Sequence, residues 1–425
     1  MKPIPSKTRK DPVLMRRVVI TGMGVVSPVG NTVAEFEAGL YSGKNGIGRI
    51  TRFDTEGYRV HLAGELKNFD AAAYLEPRQI RKMDLFTIYA MAASKQALSE
   101  SGVIGNANPN RIGVIVGSGI GGIKVLEDSH RILMESGPRR ISPFFIPMLI
   151  ADIAAGQISI HYGLKGPNYC VISACATASN ALGDAFRLLR YGDADVMVAG
   201  GCEAPITRLS LAGFTNMKAL SKVPDPETAC RPFDADRDGF VMSEGAGILV
   251  LEELGHAERR GATIYAELMG YGATADAYHI TAPAEGGEGA VRAMRRAIED
   301  AAIQPGEVDY INAHGTSTPH NDKNETIAIK IVFGDHAKDG LIVSSTKSMT
   351  GHMLGASGGA EAIATIIALK RQEAPPTIHY NTPDPDCDLN YSPNSPTPHA
   401  IEYGMSSTFG FGGHNAVLLF KRFSA

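Results

Sequence analysis

The chain has 425 residues, 44% of them hydrophobic and 20% charged, with a formal net charge of −4. That length exceeds one minimal core and fits two domains or one duplicated unit. The charge excludes a general nucleic-acid binder, which needs a basic surplus, and no apolar run approaches the roughly 18–20 residues of a membrane span.

Five cysteines, Cys170, Cys175, Cys202, Cys230 and Cys387, form no CxxC pair. Their odd number and spacing give no disulfide framework or zinc site and suit a reducing compartment, so the cytoplasm is the expected location and no metal is expected. Residues 1–15 read as a flexible basic arm, because MKPIPSKTRKDP lacks the apolar core of a secretory signal.

Strand-like and helical runs alternate from there on. RRVVITGMGVVSPVG (16–30) reads as a β-branched strand running into a glycine turn, 84–102 as a helix, and RIGVIVGSG (111–119) as a buried strand. VISAC then leads into a helix over 176–190, with an apolar stripe at Ala178, Ala181, Leu182, Ala185 and Leu189. DADVMVAGG (193–201) and GAGILVLEE (245–253) are strands, and such near-continuous apolar strands imply sheets covered on both faces.

The pattern restarts after residue 263. A strand (264–273), a helix (286–302), the strand VDYINAHGT (308–316) and a helix (322–333) follow in order. Then come the strand LIVSSTKS (341–348), a small-residue helix (353–370) and two closing strands near 402–409 and 415–421. The fold class is therefore α/β, with a first half over 16–263 and a second over 264–425.

Two motifs are set aside. GMGVVSPVG lacks the third glycine of a dinucleotide-binding turn, and Pro28 stands where its helix should begin, so it reads as a turn. In FDADRDGFVMSEG, Asp234, Asp236 and Asp238 fit a calcium loop, but position 12 is Gly245 instead of glutamate; this also reads as a structural turn.

Chemistry concentrates where strands end. SACATAS carries Cys175, NAHGTSTPHND carries His314, and SSTKSMTGHMLGASGGAEA carries Lys347, His352 and Glu361. A cysteine at a helix N-terminus gains thiolate stabilisation from the helix dipole. Two loop histidines can aim N–H groups at one developing oxyanion. Glu361 could fix a tautomer or join a network with Lys347, and TFGFGGHN (408–415) could offer backbone N–H donors. Cys175 alone fits a core residue better than a nucleophile; the group together points to cysteine-based acyl transfer.

At these residues the sequence resembles the elongating β-ketoacyl-acyl carrier protein synthases of the type II branch. ACAT, NAHGTSTP, KSMTGH and GFGG occur in that family's order, and the likeness runs from TGMGVVSPVG to FGFGGHNAVLLF. The resemblance implies a thiolase-like fold, two duplicated βαβ halves in a five-layered α-β-α-β-α arrangement, and a homodimer. It makes Cys175 the acyl-accepting nucleophile, His314 and His352 the decarboxylation pair, and Lys347 and Glu361 the supporting network. The N–H groups of Cys175 and Phe411 would form the oxyanion hole, with Phe411 gating access and Phe409 beside it in the substrate site. Thr316 and Thr318 would bind the phosphopantetheine arm, and Ile120 would line the acyl pocket.

The implied reaction is elongation of a cysteine-bound acyl chain by two carbons from malonyl carrier protein, with a polyketide ketosynthase as the alternative. No cofactor is implied beyond the carrier's own phosphopantetheine; a structural monovalent cation is left open. Neither nucleic acid nor membrane is expected as a partner. An acidic carrier protein is, with Arg78, Arg81, Lys82, Arg139 and Arg140 as the candidate basic rim. Ala178, His320 and Thr408 depart from the family pattern without removing a catalytic group. A catalytically silent subunit would have lost the cysteine, which is present.

Overall fold

The structure is a computed structural model that describes residues 15–424. Except for Met15, the N-terminal arm lies outside the described residues. The first half contributes strands β1 (Val18–Val26), β2 (Ile112–Gly117), β3 (Asn168–Tyr169), β4 (Val196–Glu203) and β5 (Gly245–Glu253). Between them lie helices α1 (Leu85–Ser101), α2 (Ile153–Tyr162) and α3 (Thr177–Tyr191).

The second half contributes β6 (Ala266–Ala275), β7 (Tyr310–Asn312), β8 (Ile342–Ser344), β9 (Tyr403–Gly410) and β10 (His414–Arg422). Its helices are α4 (Glu288–Ala301), α5 (Pro319–Phe333) and α6 (Ser357–Arg371).

Strand order exposes the duplication. The first half runs β3-β2-β4-β5-β1 and the second β8-β7-β9-β10-β6, the same order of equivalent strands. The two edges meet where Val18, Val19 and Ile20 pair antiparallel with Leu268, Glu267 and Ala266, giving one continuous ladder of ten strands.

Side chains alternate across each strand, so each sheet feeds two cores. In β2, Val114 and Val116 join the core under α1 and α2, while Ile115 faces the central core. Helices α3 and α6 fill that central layer, and α4 and α5 cover the outer face of the second sheet. The result is five layers, α-β-α-β-α, as expected.

Small residues make the central layer possible. A Cβ on Gly359 would lie 2.2 Å from the Gly247 carbonyl oxygen, and one on Gly358 2.2 Å from Ser179 Oγ. The glycine-rich start of α6 therefore lets that helix touch both β5 and α3. Gly22 and Gly24 lie within β1, not in a turn, because their bare backbones pack against the Ala97 and Ala93 carbonyls of α1. The aspartates of 234–238 do serve a structural loop: Asp234 accepts from the N–H groups of Asn381 and Thr382, and Asp238 from Ser221 Oγ and Lys222 N–H.

Some expected elements are shorter. No strand runs into Cys175: β3 ends at Tyr169, and residues 170–173 are irregular. Cys170 thus lies just beyond a strand, its Sγ 3.4 Å from the Val171 carbonyl oxygen. The run 341–348 is a strand only to Ser344, and Lys347 opens a four-residue helical turn (Lys347–Thr350).

Candidate active site

The duplication brings two helix starts together. Cys175 sits in the 3-10 turn Ala174–Ala176 ahead of α3, and the equivalent turn Leu354–Ala356 stands ahead of α6, just after His352. Ala174 (φ 51) and Leu354 (φ 45) both adopt left-handed backbone, a strained choice for residues with a Cβ. That kink turns each segment from a loop into its helix.

His352 Nε2 lies 3.0 Å from Cys175 Sγ. The His314 and His352 rings are nearly perpendicular with centroids 5.4 Å apart, and Phe240 and Phe409 wall them. His352 is held by its backbone, which donates to the Val241 carbonyl and accepts from Ser243 N–H, and by Ser357 Oγ, 3.0 Å from Nδ1. The orienting partner of this imidazole is therefore Ser357. Glu361 instead forms a fully buried pair with Lys347, Nζ to Oε1 2.5 Å.

His314 follows β7 and is fixed through its backbone. Glu325 on α5 accepts from the His314 and Gly315 N–H groups at 2.7 and 2.8 Å, and Asp322 accepts from Thr316 N–H at 3.0 Å. Asp322 is the last residue of the motif NAHGTSTPHND, whereas Glu325 lies beyond it. Burial lifts Glu325 to about 7 in spite of its two backbone donors.

The electrostatics follow from burial. Desolvation drives both histidines well below their ordinary value, and the Lys347 ammonium pushes the same way, so both imidazoles are neutral. Cys175 is pushed up to about 12 by desolvation, with Lys347 and the Phe411 N–H only partly opposing. The helix-dipole expectation of a ready thiolate thus loses to burial: the resting pair is a thiol beside a neutral imidazole.

A cavity of about 720 Å³ opens onto these groups. Ile120, Cys175, His314, Thr316, Thr318, His352, Phe409 and Phe411 all line it, so the sequence-derived catalytic and substrate residues converge, with Lys347 and Glu361 buried behind them. Thr316 and Thr318 share a hydroxyl–hydroxyl hydrogen bond of 2.9 Å. His320, Lys218 and Asp276 also line the cavity. The loop carrying Phe411 is tied to its neighbour by Gly412 N–H donating to the Ile280 carbonyl and Asp276 N–H to that of Gly413.

Arg78, Arg81, Lys82, Arg139 and Arg140 are all exposed and none lines the cavity; Lys82 Nζ lies 4.9 Å from the Phe144 ring, close in sequence to the last two. Among the described residues no cluster of three His, Cys, Asp or Glu could hold a metal ion, and no helix is long and apolar enough to cross a membrane.

Comparison with known proteins agrees with this architecture. The family profile described as beta-ketoacyl synthase, N-terminal domain, matches residues 15–257, and its C-terminal counterpart matches 265–381. The chain belongs to the beta-ketoacyl synthase family. Among its relatives is a Staphylococcus aureus protein named 3-oxoacyl-[acyl-carrier-protein] synthase 2, 57% identical over 96% of this chain and 99% of the relative. A Synechocystis protein of the same name is 53% identical over 96% and 98%.

Of solved structures, a beta-ketoacyl synthase from Burkholderia phymatum superposes with a TM-score of 0.90 at 38% identity, covering 96% of this chain and all of the other. A type II polyketide ketosynthase, solved with its acyl carrier protein and bound to the hexaketide, gives 0.89 at 35% identity, again over 96% and 100%.

Proposed function

We propose that the chain is a 3-oxoacyl-[acyl-carrier-protein] synthase of the elongating type, condensing malonyl carrier protein with an acyl chain held on Cys175. The observation that carries this reading is the buried thiol 3.0 Å from His352 with a second neutral histidine beside it, at the floor of a cavity.

In the first half-reaction Cys175 Sγ bonds to the acyl carbonyl carbon, the carrier's C–S bond breaks, and the thiol proton reaches the departing sulfur through His352. A free thiolate is not needed, because the imidazole is positioned to take the proton as the S–C bond forms. The N–H groups of Cys175 and Phe411 receive the oxyanion.

In the second half-reaction the malonyl C–carboxyl bond breaks, the carboxyl group leaves as carbon dioxide, and the electron pair of the bond becomes an enolate. His314 and His352 donate N–H to the enolate oxygen; being neutral, they stabilise charge only as it develops. The Ser357 hydroxyl can accept from or donate to Nδ1, so it serves either tautomer of His352. The enolate carbon attacks the acyl thioester, Sγ leaves with its electrons and takes up a proton from solvent to restore the thiol, and the product is two carbons longer. No step uses a cofactor.

Thr316 and Thr318 are assigned to the carrier's phosphopantetheine arm, Ile120 to the acyl pocket, and the basic rim from Arg78 to Arg140 to the acidic carrier. The family's homodimer is assigned to the β3 edge: a strand paired on one side only, with exposed Ile160 on the neighbouring α2 and exposed Ile172 just after it, is a surface that a second copy would cover. A cytoplasmic location and a division near residue 263 complete the reading. The fatty-acid pathway is preferred to the polyketide one on the 57% identity to the Staphylococcus aureus protein, against 35% to the polyketide ketosynthase.

Intact-protein mass spectrometry after incubation with acyl carrier protein tests the assignment. Cys175→Ala is expected to take up no acyl group and to form no elongated product. An acyl adduct retained by that variant overturns it.

A further inference from the structure

Glu203, the last residue of β4, is a fully buried carboxylate that the condensation steps do not use, and among the described residues no cationic side chain pairs with it. Its oxygens accept four hydrogen bonds, and these come from two segments on either side of Cys175. Ser118 Oγ (2.7 Å), Gly119 N–H (2.8 Å) and Ile120 N–H (3.2 Å) belong to the GSGIGG loop, and Gly355 N–H (3.0 Å) belongs to the turn after His352. The two segments touch under the carboxylate, since a Cβ on Gly355 would lie 2.4 Å from Gly119 N.

The two sides of this tie are unequally anchored. The His352 turn has its own supports at Val241, Ser243 and Ser357 and continues into the packed helix α6. The 118–120 stretch is held more lightly: Gly121 N–H donates to Ser118 Oγ, a hydroxyl itself held by Glu203, and the Ser118 backbone N–H faces the Cys170 thiol. Ile120, at the end of the stretch, is exposed into the cavity.

We propose that Glu203 is a positioning residue for chain-length selection: it fixes the Ile120 wall of the acyl site to the rigid turn behind His352. The proposal rests on the reading of Ile120 as an acyl-pocket residue. A carboxylate suits the task because all four partners are donors and it offers only acceptors. An amide of the same shape would turn an N–H toward at least one of them, leaving buried donors unmet.

The test measures elongation kcat/KM across a series of acyl carrier protein substrates of increasing chain length, for wild type, Glu203→Gln and Ser118→Ala, with malonyl decarboxylation measured in parallel. In Glu203→Gln the spread between the best and worst chain length is expected to flatten by about fivefold or more, within the range that pocket fit confers. Decarboxylation is expected to fall by less than elongation of the preferred chain. Ser118→Ala, which removes one of the four donors, is expected to flatten the profile in the same direction and decides the matter if Glu203→Gln does not fold.

A profile that keeps its shape while all rates scale together overturns the proposal and leaves Glu203 a purely structural residue. Ile120→Phe separates the underlying reading: if that variant leaves chain length untouched, the acyl-pocket assignment has failed, whatever Glu203 does.

Discussion

Lys347→Met removes the ammonium but keeps most of the side-chain volume, and leaves Glu361 buried with no partner for Oε1; Oε2 already has none. Breaking one side of a buried pair costs about 3–5 kcal/mol if the survivor stays charged. Glu361 can escape by taking up a proton, since burial already raises its pKa and Lys347 is what opposes that rise. The folded variant then binds one proton more than the unfolded chain above the ordinary glutamate pKa. Stability therefore falls as pH rises, by about 1.4 kcal/mol per unit, until the charged-state cost is reached.

Urea unfolding at pH 5.5, 6.5 and 7.5 should show a gap to wild type that widens with pH. The double variant Lys347→Met/Glu361→Gln should remove the widening. A gap that is the same at all three values, or that shrinks toward pH 7.5, would refute the reasoning.

Three further outcomes follow from the site. Ser357→Ala should lower malonyl decarboxylation by roughly 10-fold with little change in Tm, because Ser357 orients the His352 ring; unchanged decarboxylation would assign that orientation to the backbone anchors alone. Both histidines have folded pKa values depressed far below the usual range, so protonation is not reached near neutrality. Malonyl decarboxylation by Cys175→Ala should accordingly be flat from pH 8 down to about 6, and an acid limb near the ordinary histidine pKa would contradict the neutral pair. Arg81→Glu together with Lys82→Glu should raise KM for carrier-bound substrates in a salt-dependent way while leaving free pantetheine thioesters unaffected; equal effects on both substrates would remove this rim from carrier docking.

The sequence made legible what side-chain pattern carries. Apolar β-branched strands such as Val18–Val26 and Ile112–Gly117, and the amphipathic helix after Cys175, stand close to where periodicity puts them. The convergence of Cys175, His314 and His352 was foreshadowed by their strand-end positions. Features that depend on backbone were not legible. Glu203 closes an apolar strand and looks like a solvent-facing end, because three of its four donors are main-chain N–H groups with no side-chain signature. Glu325 is hidden for the same reason, its two short hydrogen bonds both coming from backbone. The thiol's protonation went the other way from the dipole argument because the helix start is buried at the interface of two sheets. The helix Ile123–Ser136 and α2 went unread between recognised motifs.

The seam at β1 has a consequence for biosynthesis. This strand is apolar along its length, yet its sheet neighbours are β5, at Val18↔Glu253, and β6, at Val18↔Leu268. Both are made more than two hundred residues later. At about 5–20 residues per second, the first strand leaves the ribosome roughly 10–45 s before a partner exists. The nearest early cover is α1, whose Ala97 and Ala93 carbonyls sit on Gly22 and Gly24 in that order. The glycine pair that mimics a nucleotide motif is thus the contact through which a nascent strand can be shielded from aggregation. Bulkier residues there should make stalled chains of about 150 residues more sensitive to protease than wild-type ones.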